Sequence, residues 1–264
     1  RKIDKVSKSS ERVIKDEVVV SVNNFNVKMP GEELKQLSLE VYKGEILGVG
    51  GLVGLGKIVL ANGTMGLYPA SGSVMVNGEA LNLNSPRDSM KKKIAFLSED
   101  RRGVGLLLDS SVEMNIVITA IENQNRYLRK VLFLSQIDNR AIREHALKMI
   151  QELDIRCTGP GQLARRLSGG NQQKVCIARA LTLDPDILLV SEPTRGIDIG
   201  AKKLVLDTLV KLNEELGMTI IMTSSELAEL RSISDRIAII TNGTLAGILK
   251  PDDSDADYGL LMAG

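Results

Sequence analysis

The sequence predicts an α/β fold: a mixed sheet, with an antiparallel β subdomain ahead of it and a helical insertion in its middle. Three observations carry this. The short apolar runs Ile46-Leu47-Gly48-Val49 and Ile187-Leu188-Leu189-Val190 read as buried strands, and Thr219-Ile220-Ile221-Met222 as a further strand. In the last third they alternate with helix-length segments, the pattern of parallel strands joined by crossover helices. Near the start, by contrast, strand-like runs are closed by turn residues, and Asn77-Gly78 is a strong hairpin signal, so those strands pair antiparallel.

Taken in order, residues 1–16 are polar and rich in Lys, Ser and Glu, and read as a linker from a preceding domain. Val18 to Val22 is a strand, ended by Asn23-Asn24; Met29-Pro30-Gly31 is a further break. Leu37 to Val41 alternates Leu-Ser-Leu-Glu-Val, as an edge strand does. Lys43-Gly44 turns the chain into a buried strand, followed by a glycine loop and the helical run Val59-Leu60-Ala61. Strands are predicted at Ser73–Val76 and Ile94–Leu97, the latter running into the charged loop Ser98-Glu99-Asp100-Arg101-Arg102-Gly103. Helices are predicted over Val112–Ala120 and Gln136–Leu153. In the second, Ile137, Ile142, Ala146, Met149, Ile150 and Leu153 fall mainly on one face. Ser168 caps a helix through Ala180. Helix Ala201–Leu216, helix Glu226–Ser232 and strand Arg236–Ile240 complete the alternation. The main domain is predicted to span 17–250, with the helical insertion at about 104–182 and a C-terminal tail at 251–264.

A chain of 264 residues can bury one large core, or one core and a small subdomain. A net charge of +1 offers nothing to a polyanionic partner, and 3% aromatic residues without Trp argue against single-stranded nucleic-acid platforms. The two cysteines, Cys157 and Cys176, are isolated, which fits a reduced cytosolic protein without a zinc site. His145 is the only histidine, so a Ser/His/Asp triad elsewhere is excluded; in its charged helical run it reads as a solvated surface residue. No apolar run approaches the length of a transmembrane helix or signal peptide.

The chemistry concentrates in Gly51-Leu52-Val53-Gly54-Leu55-Gly56-Lys57-Ile58, between a buried strand and a helix. G-x-x-x-x-G-K is the phosphate-loop spacing: glycines allow a turn whose backbone N–H groups converge on phosphate, and Lys57 reaches the outer phosphates. The next position, where a Ser or Thr hydroxyl holds Mg²⁺, is Ile58, which ligates nothing. A dinucleotide fingerprint does not fit the glycine spacing, and the bland alternative is a strand–helix connection without a ligand. A second anion-seeking stretch is Leu167-Ser168-Gly169-Gly170-Asn171-Gln172, two glycines and a serine at a helix start. The phosphate loop, Ser191-Glu192 and Thr223-Ser224-Ser225 all lie at carboxyl ends of strands, where such folds bind ligands.

Together, the phosphate loop, the Leu167–Asn171 stretch, the apolar strand running into Glu192-Pro193-Thr194 and then Asp198 resemble the nucleotide-binding domain of ABC transporters, over about Val18–Ile248. The Glu99–Gly103 loop, Gly-Gly-Asn-Gln-Gln and Pro193-Thr194-Arg195-Gly196-Ile197-Asp198 are similar to the C-terminal half of tandem monosaccharide importer ATPases of the ribose, galactose and xylose type. The resemblance implies a P-loop NTPase core with a helical signature-motif subdomain, ATP and Mg²⁺ as ligands, and peripheral attachment at the cytoplasmic face of the cell membrane. It implies as partners a second ATPase half, a membrane permease met near the loop after Glu99, and a sugar-binding protein reached through the permease. By the same resemblance, residues 51–58 hold the phosphates of the domain's own ATP, Glu192 polarises the attacking water, Ser168, Gly169, Gly170 and Asn171 clamp the partner's ATP, and Asp198 is the D-loop residue at the dimer seam.

Four departures qualify it. Ile58 replaces the hydroxyl ligand of Mg²⁺, Ser191 the acidic metal anchor, Glu99 a Gln that contacts metal and water, and Ser225 the switch His. No aromatic stands convincingly for adenine stacking; Phe25 lies slightly early. Losing one preorganised donor costs a barrier of roughly 3–4 kcal/mol, so weak or absent hydrolysis is expected at this domain's own site, while its signature completes the partner's. A nucleoside importer half, a non-catalytic nucleotide-binding regulatory domain, and a soluble ABC ATPase of translation or DNA repair are the other readings; the missing basic patch weighs against the last.

Overall fold

The computed structural model describes residues 14, 16–52, 54, 56–131 and 134–263. The predicted linker at 1–16 therefore lies almost wholly outside the described residues, as do Val53 and Leu55 of the glycine loop. The chain separates into two compact units. One runs up to Phe96 and adds Asp186–Glu192 and the chain from Leu206 on; the other comprises Leu97–Pro185 and Pro193–Val205.

The first unit holds two sheets. The antiparallel sheet has the order β2-β1-β4-β5, from strands β1 (Val18–Met29), β2 (Glu32–Tyr42), β4 (Ala70–Val76) and β5 (Glu79–Ala80). β2 is an edge strand, as its alternation predicts, and Asn77-Gly78 closes the β4–β5 hairpin, in which Val76 pairs with Glu79. The Asn pair does not end β1. The ladder shifts register between Val22 and Phe25, with Asn24 in a left-handed conformation (φ 47°), and the strand continues to Met29. Asn adopts that conformation more readily than most residues, so the bend is absorbed as a bulge.

The six-stranded sheet has the order β12-β11-β3-β10-β9-β6. Its strands are β3 (Ile46–Gly50), β6 (Ile94–Leu97), β9 (Ile187–Ser191), β10 (Thr219–Thr223), β11 (Arg236–Thr241) and β12 (Thr244–Leu249). β3, β9 and β10 are buried at every residue, as their unbroken apolar runs require. Thr223 pairs with Val49 on one side and Ser191 on the other, so the ends of β3, β9 and β10 stand level. Phe25, Leu34 and Leu37 of the antiparallel sheet, Val59 and Leu60 of helix α1 (Val59–Thr64), and Leu47, Leu189 and Ile221 of the larger sheet share one apolar cluster. Helix α2 (Pro86–Lys91), capped by Ser85, and α7 (Leu227–Ile233) belong to the same unit. The segment expected as a tail carries helix α8 (Asp255–Ala263): Tyr258 is buried, with the Arg231 guanidinium 4.9 Å over its ring and its hydroxyl donating to the Lys250 carbonyl at 2.8 Å.

The second unit is mainly helical: α3 (Val112–Gln124), α4 (Asn139–Glu152) and α5 (Gly169–Leu181), with side-chain caps from Ser111, Asp138 and Ser168. The predicted helix over Gln136–Leu153 is too long. Gln136 and Ile137 belong to a hairpin of β7 (Leu128–Val131) and β8 (Leu134–Ile137), and Asp138 starts the helix. Ile142, Ala146, Met149 and Leu153 are buried, whereas Ile137 is exposed. Helix α6 (Ile199–Leu216) has residues in both units. Among the described residues no helix is long and apolar enough to cross a membrane.

His145 is not the solvated residue its charged neighbours suggest. It lies 5.3 Å from the Tyr127 ring, and its Nε2 is 2.8 Å from Thr182 Oγ1, whose own hydroxyl donates to Ala178 O at 2.7 Å. Nε2 therefore carries the hydrogen. Desolvation, then the cationic Arg126 and Lys148, lower its pKa below the ordinary 6.5. The unfolded chain thus binds a proton here more readily, so this residue's contribution is full above about pH 6.5 and is lost as the pH falls through the lowered folded value. Between pH 7.5 and 5.5 the wild type should lose more melting temperature than His145→Gln; equal losses would contradict this.

Candidate functional site

The end of β3 delivers the glycine loop to the level edge of the parallel sheet. Gly51 has φ +149°, and a Cβ there would stand 2.2 Å from the Ile240 carbonyl oxygen. Gly56 has φ +99°, and its Cβ would stand 2.5 Å from the Glu33 carbonyl oxygen. Both positions admit only glycine, for conformation and for space. Gly54 has positive φ as well, and Leu52 is exposed. Val53 and Leu55 lie outside the described residues.

Lys57 is buried beside this loop, 3% exposed. Its Nζ donates to Ser225 Oγ at 2.5 Å and lies 3.3 Å from Glu192 Oε1, while Ser225 Oγ donates to Glu192 Oε1 at 2.5 Å. The ends of β9 and β10 supply Glu192 and Ser225, so the level register brings together the residues predicted from three separate stretches. Glu192 sits in the left-handed region (φ 46°), its amide donating to Thr223 O at 3.0 Å. Such strain in a non-glycine residue marks a position fixed by its surroundings. No spacing or motif marks Glu32. Its carboxylate accepts from the Gly56 amide at 3.1 Å, from 24 positions away.

The donors fit phosphate. Glycine amides and a buried ammonium are anion-binding groups. Ile58, at the start of α1, brings no oxygen. Ser191 is fully buried, and its neutral hydroxyl has no partner among the described residues. No group of three or more His, Cys, Asp or Glu able to hold a metal occurs among the described residues. A hard divalent ion asks for several oxygens, usually including carboxylates. Phe25 is wholly buried in the core, so it is not available for adenine stacking.

In the second unit, Ser168 Oγ accepts from Asn171 Nδ2 at 2.9 Å, and Asn171 Oδ1 accepts from the Arg156 amide at 2.8 Å. Gly169 and Gly170 open the thirteen-residue α5; a Cβ on Gly170 would stand 2.8 Å from Ala201 Cβ. A cavity of about 240 Å³ is lined by Ser168, Gly170, Asn171, Lys174, Arg156 and Asp198, among others. Asp198 is exposed and its Oδ1 accepts from the Ala201 amide at 3.0 Å. Part of the charged loop is a π-helical turn, Arg101–Gly105, capped by Asp100. Arg101 from that turn donates to Gln172 Oε1 at 3.3 Å and Arg195 O at 3.4 Å, tying the turn to the start of α5. Glu99 is half-buried, its Oε2 3.4 Å from Ser98 Oγ. Burial pushes the Cys176 thiol up to about 11, so it stays protonated and unreactive at neutral pH.

Comparison with known proteins gives these arrangements a context. The ABC transporter family profile matches residues 34–195. The chain is 37% identical over 232 residues to the ribose import ATP-binding protein RbsA of Bacillus cereus, covering 88% of this chain and 45% of that protein. It is 38% identical over 247 residues to the xylose import ATP-binding protein XylG of Thermoanaerobacter pseudethanolicus, covering 91% and 47%. It is 38% identical over 232 residues to the galactose/methyl galactoside import ATP-binding protein MglA of Treponema pallidum, covering 88% and 45%. The chain therefore spans about half the length of the curated relatives it matches. Its fold matches a nucleotide-free ATP-binding cassette from an ABC transporter, with TM-score 0.74 at 19% identity, over 94% of this chain and 96% of that one. By the match over most of its length and by relatives well above 30% identity, the chain belongs to the ABC transporter family of ATP-binding proteins.

Proposed function

We propose that this chain is the second ATP-binding half of an importer that energises monosaccharide uptake, with a degenerate ATP site of its own and a signature motif that completes the site of its partner half. The observation that carries the asymmetry is the contrast within the chain. Ile58 and Ser191 leave the phosphate loop without metal oxygens, whereas Ser168, Gly169 and Gly170 keep an ordered, capped helix start. The importer reading is supported by relatives whose names are ribose, xylose and galactose import ATP-binding proteins. On this reading the protein works at the cytoplasmic face of the membrane on a permease, served by a sugar-binding protein. The Arg101–Gly105 turn, with Val104 and Leu107 exposed, is the surface offered to the permease. Asp198 lies at the seam between halves.

At its own loop this chain's residues bind and orient phosphate: the amides and Lys57 neutralise charge, and Glu192 with Ser225 holds the ammonium in place. Magnesium, where bound, supplies the charge neutralisation that phosphoryl transfer needs, and these residues do not fit it. Titrating this chain with ATP in EDTA and in magnesium should give dissociation constants within about threefold of each other, because neither position 58 nor position 191, where the resemblance puts the metal ligands, offers a charged oxygen. Phosphate release should stay at background. A magnesium-dependent affinity with brisk turnover would overturn the degenerate site and leave an ordinary ATPase half.

A further inference from the structure

The phosphate loop already has anionic oxygens on both of its phosphate-seeking devices. The Gly56 amide donates to the Glu32 carboxylate at 3.1 Å, and the Lys57 ammonium is paired with Glu192 through a 3.3 Å contact and through Ser225. Glu192 and Ser225 were expected here from their places at strand ends. Glu32 was not, and its position is set by the fold. Met29 pairs with Glu32 across the β1–β2 turn, and the Lys35 amide donates to Gly243 O at 2.7 Å, fastening the start of β2 to the β11–β12 turn. Gly56 and Gly243 have no side chains, and a Cβ on either would stand within 2.6 Å of the Glu33 carbonyl oxygen. The backbone of β2 is thus seated against the loop, and the Glu32 side chain is the part free to move.

We propose that Glu32 is an internal competitor for polyphosphate at this loop: its carboxylate occupies the Gly56 amide, and a nucleoside polyphosphate binds by displacing it. This rests on the reading that the loop is a phosphate cradle. A carboxylate accepting from a backbone amide makes a charge-assisted bond, stronger than a neutral one. A phosphate oxygen that takes the same amide also meets the displaced carboxylate as a like charge. When the open state is only a fraction of the population, the apparent dissociation constant rises by the inverse of that fraction. Lys57 alone, without a divalent ion, offsets the added charge, so Glu32 weighs more here than it would beside a metal. The affinity of this site is set by a residue with no place in the glycine motif.

The test is calorimetric titration of this chain with inorganic tripolyphosphate and with ATP, both in EDTA at low salt, for wild type, Glu32→Ala and Glu32→Gln. Glu32→Ala should bind both ligands about tenfold more tightly, the gain expected if the open state is about a tenth of the population. Glu32→Gln, which keeps an acceptor and loses the charge, should fall between. The gain should shrink at high salt as charges are screened. A carboxylate that merely props the loop predicts the opposite sign, since its removal would weaken binding. Melting curves of each variant identify a fold defect, and the glutamine variant keeps the comparison valid if the alanine variant unfolds. Unchanged or weaker binding in the folded variants overturns the proposal, and absence of binding in every protein overturns it together with the phosphate cradle. Metal-independent ATP binding that ignores Glu32 would leave the degenerate-site reading standing and this proposal overturned. Tighter binding in the variants with a magnesium-dependent wild type would do the reverse.

Discussion

If this chain is, as proposed, one half of a two-cassette ATPase, Ser168→Asp in the full-length protein should lower ATP hydrolysis by about a hundredfold or more, whereas Lys57→Met should lower it by less than about threefold. Asp caps a helix as well as Ser does, so Ser168→Asp keeps α5 folded while placing a negative charge where the proposed function seats the partner's γ-phosphate. The lower bound follows from loss of one preorganised donor, about 10²–10³ in rate, to which repulsion adds. Lys57 serves a loop whose own turnover is already expected to be weak, so its removal costs this half's nucleotide affinity and little of the total rate. The measurement is steady-state phosphate release at saturating ATP and magnesium, with a melting curve for each variant. Similar losses from both substitutions would mean that both sites turn over, and the asymmetry would be wrong.

Phe25→Ala should destabilise the chain by about 3–5 kcal/mol, the range for emptying a buried aromatic position, and leave the folded protein's affinity for ATP unchanged. Phe25 is 0% exposed and sits in the cluster shared by both sheets of the first unit. A Cβ on Gly63 of α1 would already stand 3.1 Å from its ring, so α1 is packed against it with no space to collapse further. For a chain of this size each kcal/mol is worth about 2–4 °C of melting temperature, so a fall of about 10 °C is expected. A weakened ATP affinity at normal stability would instead return Phe25 to the nucleotide.

Much of this was legible because the relevant patterns are local. The apolar runs of β3, β9 and β10 need no tertiary information to be read as buried strands, and the Asn77-Gly78 turn announces its hairpin. The meeting of Lys57, Glu192 and Ser225 was legible because parallel strands present their carboxyl ends at one edge. What failed was what depends on partners far along the chain. The Asn23-Asn24 pair reads as a stop, but continued pairing on both sides of β1 turns it into a bulge. Gln136 and Ile137 suit a helix by pattern and instead form the end of β8, paired with β7. His145 carries charged neighbours in sequence, and only the fold sets Thr182 and Tyr127 against it. Glu32 reaches Gly56 through a hairpin turn that no spacing rule encodes.

If this loop has lost its metal, as proposed, the orphaned hydroxyl of Ser191 makes that loss hard to undo. An acid introduced there alone would bury an ionisable group at a position that is 0% exposed, a severe penalty unless it is paired. An oxygen introduced alone at position 58 would have no acidic companion for an ion. On the proposed reading, each repair is costly or idle until the other is in place, so single substitutions lead away from a metal centre at this loop far more easily than back to one.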